Sequence, residues 1–178
     1  MTNLWHDVKR KKVEEFNVII ECPKGSRIKY EVDKETGLIM FDRVLYSPMH
    51  YATDYGFVPQ TLWEDGDALD VMVLGHDPVV PGCLIRCRPL AYLEMIDGGD
   101  SDIKVLAVPV TDPRFEYIKT INDVDPHLLK EIKHFFKVYK DLQEKKVEVG
   151  EWIGYDETIK ATQKSFDLYD KEFPGKAE

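Results

Sequence analysis

The sequence predicts an α+β fold that is mainly β, with a closed or partly closed antiparallel barrel followed by two helices. Short apolar segments separated by Pro, Gly and Asp fill residues 13–110, and this pattern is typical of strands joined by turns. No helical pattern separates these segments, and such a series of short strands favours a barrel. After Asp112 and Pro113 the apolar residues adopt a helical spacing.

The predicted strands follow one another closely. Residues 16–22 form an apolar run that ends at Pro23 and Gly25, which are common strand terminators. Residues 27–32 alternate charged and apolar side chains, and residues 38–45 return after a polar turn. We therefore expect these two segments to pair as a hairpin. Further strands are predicted at residues 71–75, 82–93 and 105–110.

Two amphipathic helices are predicted after the strands. The first begins at Asp125 and Pro126, because Asp is a frequent N-cap and Pro a frequent first helical residue. The second begins near Asp156 and ends before Pro174 and Gly175. Each helix carries an apolar stripe that should pack on the barrel. The stripes consist of Leu128, Leu129, Ile132, Phe135, Phe136 and Tyr139 in the first helix and of Ile159, Phe166, Tyr169 and Phe173 in the second.

Composition narrows the class of protein. The 178 residues fit one domain, residues 1–178, and the net charge of −9 argues against a general nucleic-acid binder. No apolar run approaches the roughly 20 residues that span a bilayer, and we expect no secretory signal before Phe16. The basic residues 9–12 are interpreted as part of a solvated leader rather than as a phosphate-binding arm. The three cysteines lack Cys-x-x-Cys spacing, so a reducing compartment is expected.

Residues 65–70 read Asp-Gly-Asp-Ala-Leu-Asp, which places three carboxylates on a short stretch of chain. Two carboxylates ~5 Å apart repel by roughly 3 kcal/mol at an effective dielectric of about 20. The segment is therefore either an acidic surface turn or a site for hard divalent cations, which prefer oxygen ligands. A second acidic loop at residues 97–104 has the same two interpretations, but the two loops together offer a cage of carboxylates.

Basic and phenolic side chains could converge on this acidic cage. Lys29 and Glu31 are two residues apart in a predicted strand and therefore point to one face. Arg43 in the partner strand could reach the same face, although all three could also be solvated charges on a hairpin. Tyr139 and Lys140 end the apolar stripe of the first helix, where a lysine is usually a solvated charge.

Several well-known motifs are absent from the sequence. An EF-hand counted from Asp65 would need Gly and Glu at the places where Asp70 and His76 stand. The sequence also lacks a P-loop, a nucleophile elbow and a His-Glu-x-x-His zinc motif. What remains is a set of hard-metal carboxylates with Lys, Arg and Tyr. This set suits a small, highly charged phosphate compound that is held through metal ions.

Taken in chain order, these segments resemble the motifs of the family I soluble inorganic pyrophosphatases of the short bacterial or archaeal type. The similarity runs from about residue 15 to residue 142. Ala52, Asp54 and Ala68 depart from the residues that are usual in that family, but none of them is an expected ligand. The matching segments are residues 23–26, 29–31, 42–43, 55–56 and 65–71, then Asp97, Asp102, Lys104, His134, Phe135, Phe136, Tyr139 and Lys140.

The resemblance implies an OB-like, five-stranded antiparallel barrel with the hairpin at its flank. It also implies hydrolysis of inorganic pyrophosphate to two phosphates, dependence on several Mg²⁺ ions with Mn²⁺ or Zn²⁺ as substitutes, a cytoplasmic location and, frequently, a homohexamer. Asp67 is the predicted general base, because it lies between Asp65 and Asp70 and could face a metal-activated water without itself being a ligand. The predicted metal ligands are Glu21, Glu31, Asp65, Asp70, Asp97 and Asp102. The predicted phosphate-binding residues are Lys29, Arg43, Tyr55, Lys104, Tyr139 and Lys140.

Two interpretations from other classes of protein stay open at this point. A non-catalytic OB-type module could bind single-stranded nucleic acid, but the surplus of acid and the lack of a basic-aromatic stripe oppose this. A structural divalent-ion protein would have no use for Lys29, Arg43 and Lys140 beside its carboxylates. Phosphate release from pyrophosphate with Mg²⁺, compared with release in EDTA, separates the three interpretations.

Overall fold

The structure is a computed structural model that describes residues 2–176. Met1, Ala177 and Glu178, which belong to the predicted domain 1–178, lie outside the described residues. The strands are β1 (Lys11–Lys12), β2 (Glu15–Cys22), β3 (Ile28–Val32), β4 (Ile39–Val44), β5 (Asp54–Phe57), β6 (Asp70–Val73), β7 (Leu84–Asp97), β8 (Asp100–Ser101), β9 (Lys104–Pro109) and β10 (Val147–Ile153). The helices are α1 (Pro126–Val138) and α2 (Tyr155–Glu172), with 3₁₀ turns at Pro113–Phe115, Ile121–Asp123 and Asp141–Gln143.

Five strands close into a ring in the order β2, β5, β6, β9 and β7, and β7 pairs back onto β2. The predicted mainly β fold with a closed ring of strands and two C-terminal helices is thereby confirmed. Four of the five pairs are antiparallel, but β6 and β9 run parallel. This pair corrects the expectation of an entirely antiparallel ring. In a closed ring of five strands, the strands cannot all be antiparallel to both of their neighbours, so at least one neighbouring pair must be parallel.

The parallel pair decides where the acidic segments lie. Strand β6 begins at Asp70, at the end of the first acidic segment, and β9 begins at Lys104, at the end of the second. Asp70 and Lys104 face each other in the register of the pair. Because parallel strands start at the same edge, the segments 65–70 and 97–104 meet at one edge of the ring.

The predicted hairpin is confirmed as a separate two-stranded sheet of β3 and β4. Lys29 lies opposite Arg43 in its register. Gly37 in the connecting turn has φ +72°, and a Cβ atom at this position would lie 2.4 Å from the Cα atom of Asn3. The turn therefore packs against the N-terminal segment of the chain.

Four strands of the structure are not among the predicted ones, namely the two-residue strands β1 and β8 and the longer strands β5 and β10. Strand β5 has a single central glycine, Gly56, where a Cβ atom would lie 1.9 Å from the carbonyl oxygen of Ile19 in β2. Glycine permits this close approach of two backbones. Strand β10 pairs with the far end of β7, which continues to Asp97 instead of ending at Leu93.

Helix α1 begins as the sequence predicts. Asp125 accepts a hydrogen bond from the backbone N–H of His127 at 2.8 Å, and Pro126 is the first helical residue. Its inward face contacts ring residues, so the helix packs on the ring as expected. No helix within residues 2–176 combines the length and the apolar character that a bilayer crossing demands. The buried residues of α1 are Ile132, Phe135 and Phe136.

Helix α2 buries a face that differs from the predicted stripe. Phe166 and Tyr169 are buried as expected, but Ile159 is only half-buried. Hydroxyl residues occupy much of the buried face, and each hydroxyl donates to a backbone carbonyl of its own helix at 2.7–2.9 Å. A hydroxyl that is satisfied in this way can be buried without leaving an unpaired donor. These residues are Thr158, Thr162 and Ser165.

The N-terminal segment packs against the protein, which corrects the prediction of a solvated leader. Trp5 is buried, and its ring centroid lies 6.2 Å from that of Tyr169 and 5.4 Å from that of Phe173. Arg10 forms an ion pair with Asp170 at 2.7 Å. The neighbouring lysines of the basic run are exposed, so only the arginine turns towards the protein. The segment before the basic residues 9–12 is therefore fixed to the protein by the buried side chain of Trp5.

The core lies on both faces of the ring strands, because side chains alternate along each strand. In β9, Leu106 belongs to the apolar cluster that includes Phe135 and Phe136 of α1. Its neighbour Val105 belongs to the cluster that includes Phe166 of α2. Strand β9 therefore connects the two helices through the ring.

Leu106→Ala should lower the free energy of unfolding by about 2–5 kcal/mol, because removing a fully buried leucine side chain leaves a cavity. Urea unfolding followed by circular dichroism measures the change. Leu142→Ala is the matched control, since this leucine is 64% exposed and its loss should change the free energy by less than about 0.5 kcal/mol. Equal unfolding midpoints for the two variants would contradict the conclusion that β9 side chains are essential to the packed core.

Candidate active site

A cleft of about 340 Å³ lies at the edge of the ring where β6 and β9 begin. It gathers side chains from the hairpin, both acidic segments, β2, β5 and the end of α1. All the predicted site residues except Arg43 line it. These residues are Glu21, Lys29, Glu31, Tyr55, Asp65, Asp67, Asp70, Asp97, Asp102, Lys104, Tyr139 and Lys140.

The first acidic segment folds into a tight turn. Gly66 adopts φ +84°, a conformation that glycine takes readily. The Asp65 carboxylate accepts a hydrogen bond from the N–H of Asp67 at 3.0 Å, and the N–H of Trp63 donates to the Asp67 carbonyl at 2.7 Å. Leu69 is fully buried and anchors the end of the turn. The carboxylates of this turn are therefore held at the cleft by the backbone.

A buried ammonium group lies between carboxylates from both acidic segments. The Lys104 side chain is 3% exposed, and its Nζ donates to Asp70 Oδ2 at 2.5 Å and to the Asp102 carboxylate. Burial alone would lower the pKa of Lys104, but the two carboxylates outweigh burial and raise it above its ordinary value. Lys104 is therefore charged. It compensates two acids that would otherwise repel each other in a buried place.

Two further carboxyl groups lie where ionisation is unfavourable. Burial, and after it the charge of Asp70, raises the pKa of Glu21 to about 8. Burial, reinforced by the charges of Asp102 and Asp70, raises the pKa of Asp65 to about 7. A nearby cation favours the ionised form of a carboxyl group. This part of the cleft is therefore suited to additional positive charge.

The hairpin forms one wall of the cleft. The Lys29 ammonium contacts the Glu31 carboxylate and lies 3.5 Å from Asp42 Oδ2. Burial lowers the pKa of Lys29, but Glu31 more than offsets burial, so the pKa is raised. Arg43 pairs with Asp42, and its Nε is buried without a hydrogen-bond partner within residues 2–176. Arg43 thus neighbours Lys29 across the hairpin but does not line the cleft.

The end of α1 forms another wall. The Lys140 ammonium contacts the Asp97 carboxylate, which ties the helix end to the second acidic segment. Burial raises the pKa of Tyr139 above its ordinary value, so this group is a neutral phenol that can donate a hydrogen bond. Burial has the same effect on Tyr55, whose ring centroid lies 5.8 Å from Lys104 Nζ.

Several lining residues carry no functional signal in the sequence. Lys34 is one of them, and its Nζ lies 2.5 Å from Asp67 Oδ1. In the sequence it reads as an ordinary residue of the hairpin turn, and its partner is remote along the chain. Trp5 falls within the predicted leader, where only its large aromatic side chain could have indicated a packed position. The other lining residues outside the predicted set are Val32, Tyr51, Phe57, Ala68 and Phe136.

The chemistry of the cleft fits hard divalent cations. Among its described lining residues the potential ligands are carboxylates, without His or Cys, and Mg²⁺ prefers oxygen ligands of this kind. Within residues 2–176, no three Asp, Glu, His or Cys side chains converge as a ready metal site. The acids instead hold ammonium groups of the protein, as Asp70 and Asp102 do with Lys104. The residues present are therefore a suitable donor set, in which Asp70, Asp97 and Asp102 pair with ammonium groups while Glu21 and Asp65 accept hydrogen bonds from backbone N–H groups.

Sequence comparison shows that the chain is similar to inorganic pyrophosphatases. Residues 18–170 match the family model described as "Inorganic pyrophosphatase". The "Inorganic pyrophosphatase" of Geobacillus stearothermophilus is 48% identical over 153 residues, which cover 86% of this chain and 93% of that protein. The "Soluble inorganic pyrophosphatase 5" of Arabidopsis thaliana is 49% identical over 154 residues, which cover 86% of this chain and 71% of that protein.

Comparison of structures agrees with comparison of sequences. The crystal structure of inorganic pyrophosphatase from Thermus thermophilus matches with a TM-score of 0.90 and 37% identity, over 95% of this chain and 99% of that one. The similarity therefore includes the ring, the hairpin and both helices rather than a single motif. On these grounds the chain belongs to the family I soluble inorganic pyrophosphatases.

Proposed function

We propose that this protein is an inorganic diphosphatase that hydrolyses pyrophosphate to two orthophosphates with the help of divalent metal ions. The observation that supports this most directly is the cleft, in which carboxylates from two remote segments lie beside ammonium and phenol groups. A small polyanion bound through metals needs both kinds of group. The named relatives belong to the same reaction class.

Mg²⁺ is the proposed metal, with Mn²⁺ and Zn²⁺ as substitutes. Bound divalent ions would neutralise phosphate charge and lower the pKa of water at the site. The choice of metal is supported by the donor set, because every proposed ligand is a carboxylate and Mg²⁺ prefers oxygen ligands. The proposed ligands are Glu21, Glu31, Asp65, Asp70, Asp97 and Asp102.

Asp67 is proposed to accept the proton of the attacking water. It is more exposed than Asp70, so its carboxylate stands where water can reach it from the cleft. As the proton passes to the carboxylate, the water oxygen forms a bond to one phosphorus atom. The bond between that phosphorus and the bridging oxygen breaks, and the second phosphate leaves with the electron pair.

The basic and phenolic residues are proposed to hold the two phosphates. Ammonium groups neutralise the charge that develops on the leaving phosphate, and the phenols donate hydrogen bonds to its oxygens. Arg43 would act from the hairpin beside Lys29, since it is outside the cleft lining. The proposed phosphate-binding residues are Lys29, Arg43, Tyr55, Lys104, Tyr139 and Lys140.

The wider setting of the reaction is also proposed. We infer that residues 1–178 act as one domain, because both helices pack on the same ring. The cysteines are free in the structure, which is consistent with the cytoplasm. Assembly as a homohexamer is proposed from the resemblance to short bacterial members. The net charge of −9 supports the expectation that nucleic acid is not a partner.

The proposal predicts that phosphate is released from pyrophosphate in the presence of Mg²⁺ and not in EDTA. Colorimetric phosphate detection measures the release, and excess Mg²⁺ should restore it after chelation, because chelation removes only the metal. Absence of phosphate release at any Mg²⁺, Mn²⁺ or Zn²⁺ concentration would refute the function. A shift of oligonucleotides without hydrolysis would instead favour a nucleic-acid-binding module.

Asp67→Asn should lower kcat by about 10²–10⁴-fold, the range that a general base contributes. The amide retains the size of the side chain but cannot take up the proton. The melting temperature should stay unchanged because this side chain is 59% exposed. Asp100→Asn, at an exposed position outside the cleft lining, is the matched control and should turn over normally. Normal turnover by Asp67→Asn would remove Asp67 from the role of base.

Lys104→Met should lower the free energy of unfolding in EDTA by about 3–5 kcal/mol, because it leaves two carboxylates without their buried partner. Mg²⁺ should recover part of this loss, since a divalent cation supplies the missing positive charge. Urea unfolding with EDTA and with Mg²⁺ measures both effects. Lys146→Met is the control, because Lys146 forms an exposed ion pair with Glu148 and such pairs contribute little. A loss in EDTA no larger than that of the control would contradict the compensating role of Lys104.

A further inference from the structure

Lys34 connects the hairpin turn to the first acidic segment. Its Nζ lies 2.5 Å from Asp67 Oδ1 and donates to the Gly66 carbonyl at 3.1 Å. The ammonium therefore contacts both the side chain and the turn that carries Asp67. Lys34 also lines the cleft, and no predicted role includes it.

The N-terminal segment supports the position of Lys34. The ring of Trp5 lies beneath the ammonium, with Nζ 5.7 Å from its centroid. Trp5 itself is fixed, because it is buried and its Nε1 donates to the Thr61 carbonyl at 2.8 Å. Its apolar cluster includes Val32 of the hairpin and Ala68 of the acidic segment. The cluster that contains Trp5 thus packs against both elements that Lys34 joins, and Trp5 lies outside the residues that match the family model.

We propose that Lys34 is a positioning residue that orients the Asp67 carboxylate for proton transfer, with Trp5 holding Lys34 in place. This inference rests on the proposed role of Asp67 as base. The contact engages Oδ1, so the other carboxylate oxygen of Asp67 is the one assigned to the water. Fixing one oxygen also fixes the plane of the carboxylate, and correct orientation of a reacting group contributes strongly to rate.

Because the Lys34–Asp67 pair is exposed, its main effect is to orient the Asp67 carboxylate. Both partners are more than half exposed, at 57% and 59%, and exposed pairs stabilise proteins little. The pair therefore contributes to the geometry of Asp67 rather than to the fold. Asp67 follows Gly66, whose positive φ places the aspartate on a tight turn, and Lys34 is the ammonium that contacts this turn from the hairpin.

The test compares Lys34→Gln in two backgrounds. In the wild-type enzyme with Mg²⁺, this change should lower kcat roughly tenfold and leave KM within about twofold, since it removes an interaction that acts in the chemical step. In the Asp67→Asn background it should cause no further loss, because the carboxylate through which it acts is gone. Lys34→Arg should retain most of the wild-type kcat, since it keeps a cation within reach of Oδ1.

Lys164 provides the matched control. It pairs with the Glu64 carboxylate and lies 5.1 Å from the centroid of the Trp63 ring, so it repeats the same three-part arrangement away from the cleft. Lys164→Gln should leave kcat and KM unchanged.

The outcomes separate this proposal from the proposed function. An unchanged kcat for Lys34→Gln, with Asp67→Asn inactive, overturns the positioning role and leaves the base assignment intact. A rise in KM of the same size in both backgrounds also overturns it, because it indicates direct contact with phosphate. Normal turnover by Asp67→Asn refutes the base assignment itself.

Discussion

The site depends on one buried interaction, the Lys104 ammonium between Asp70 and Asp102. Its existence follows from the topology of the ring. A ring of five strands cannot alternate in direction throughout, so one neighbouring pair must be parallel. In this protein that pair is β6 and β9, and the parallel pair is the place where two strands start side by side. The acidic segments that precede these strands are consequently brought together by a geometric necessity of the ring.

Concentrating acids in this way creates an electrostatic cost that the cleft offsets with its own cations. Lys29, Lys34, Lys104 and Lys140 each contact a carboxylate in or beside the cleft. These ammonium groups allow the acids to be assembled by folding alone. If divalent ions bind as proposed, Lys29, Lys104 and Lys140 would turn from their carboxylate partners to the phosphates, whereas Lys34 would keep its contact with Asp67. On this proposal, Lys29, Lys104 and Lys140 would compensate the acids in the free protein and neutralise substrate charge in the loaded enzyme.

The sequence is most informative where a local pattern has one physical explanation. The hairpin is an example, because the alternation in β3 and the polar turn after Val32 specify pairing directly. Helix α1 is another, since Asp125 and Pro126 are favoured at the places that they occupy. The acidic segments could be recognised as a pair through their composition and through the resemblance of their motifs to a family.

The remaining features depend on contacts that no local pattern encodes. The buried face of α2 looks polar in sequence because it carries threonine and serine. Thr162 can nevertheless be buried, since its hydroxyl donates to a carbonyl of its own helix. Trp5 is buried partly because Tyr169 and Phe173 arrive from the other end of the chain. The ion pair of Lys34 with Asp67 joins two turns that are each ordinary when taken alone. Such pairings become visible only when the ring has brought remote segments together.

Closure of the ring also limits when each segment can fold during synthesis. Strand β2 places Phe16 opposite Cys87 of β7, and Trp5 needs Tyr169. During synthesis β2 leaves the ribosome long before β7 exists, so one of its edges stays unpaired while translation continues. Non-local strand pairing is intrinsically slow, and unpaired edges are prone to intermolecular association. Among the ring strands, β2 is therefore the one whose edge waits longest for its native partner during synthesis.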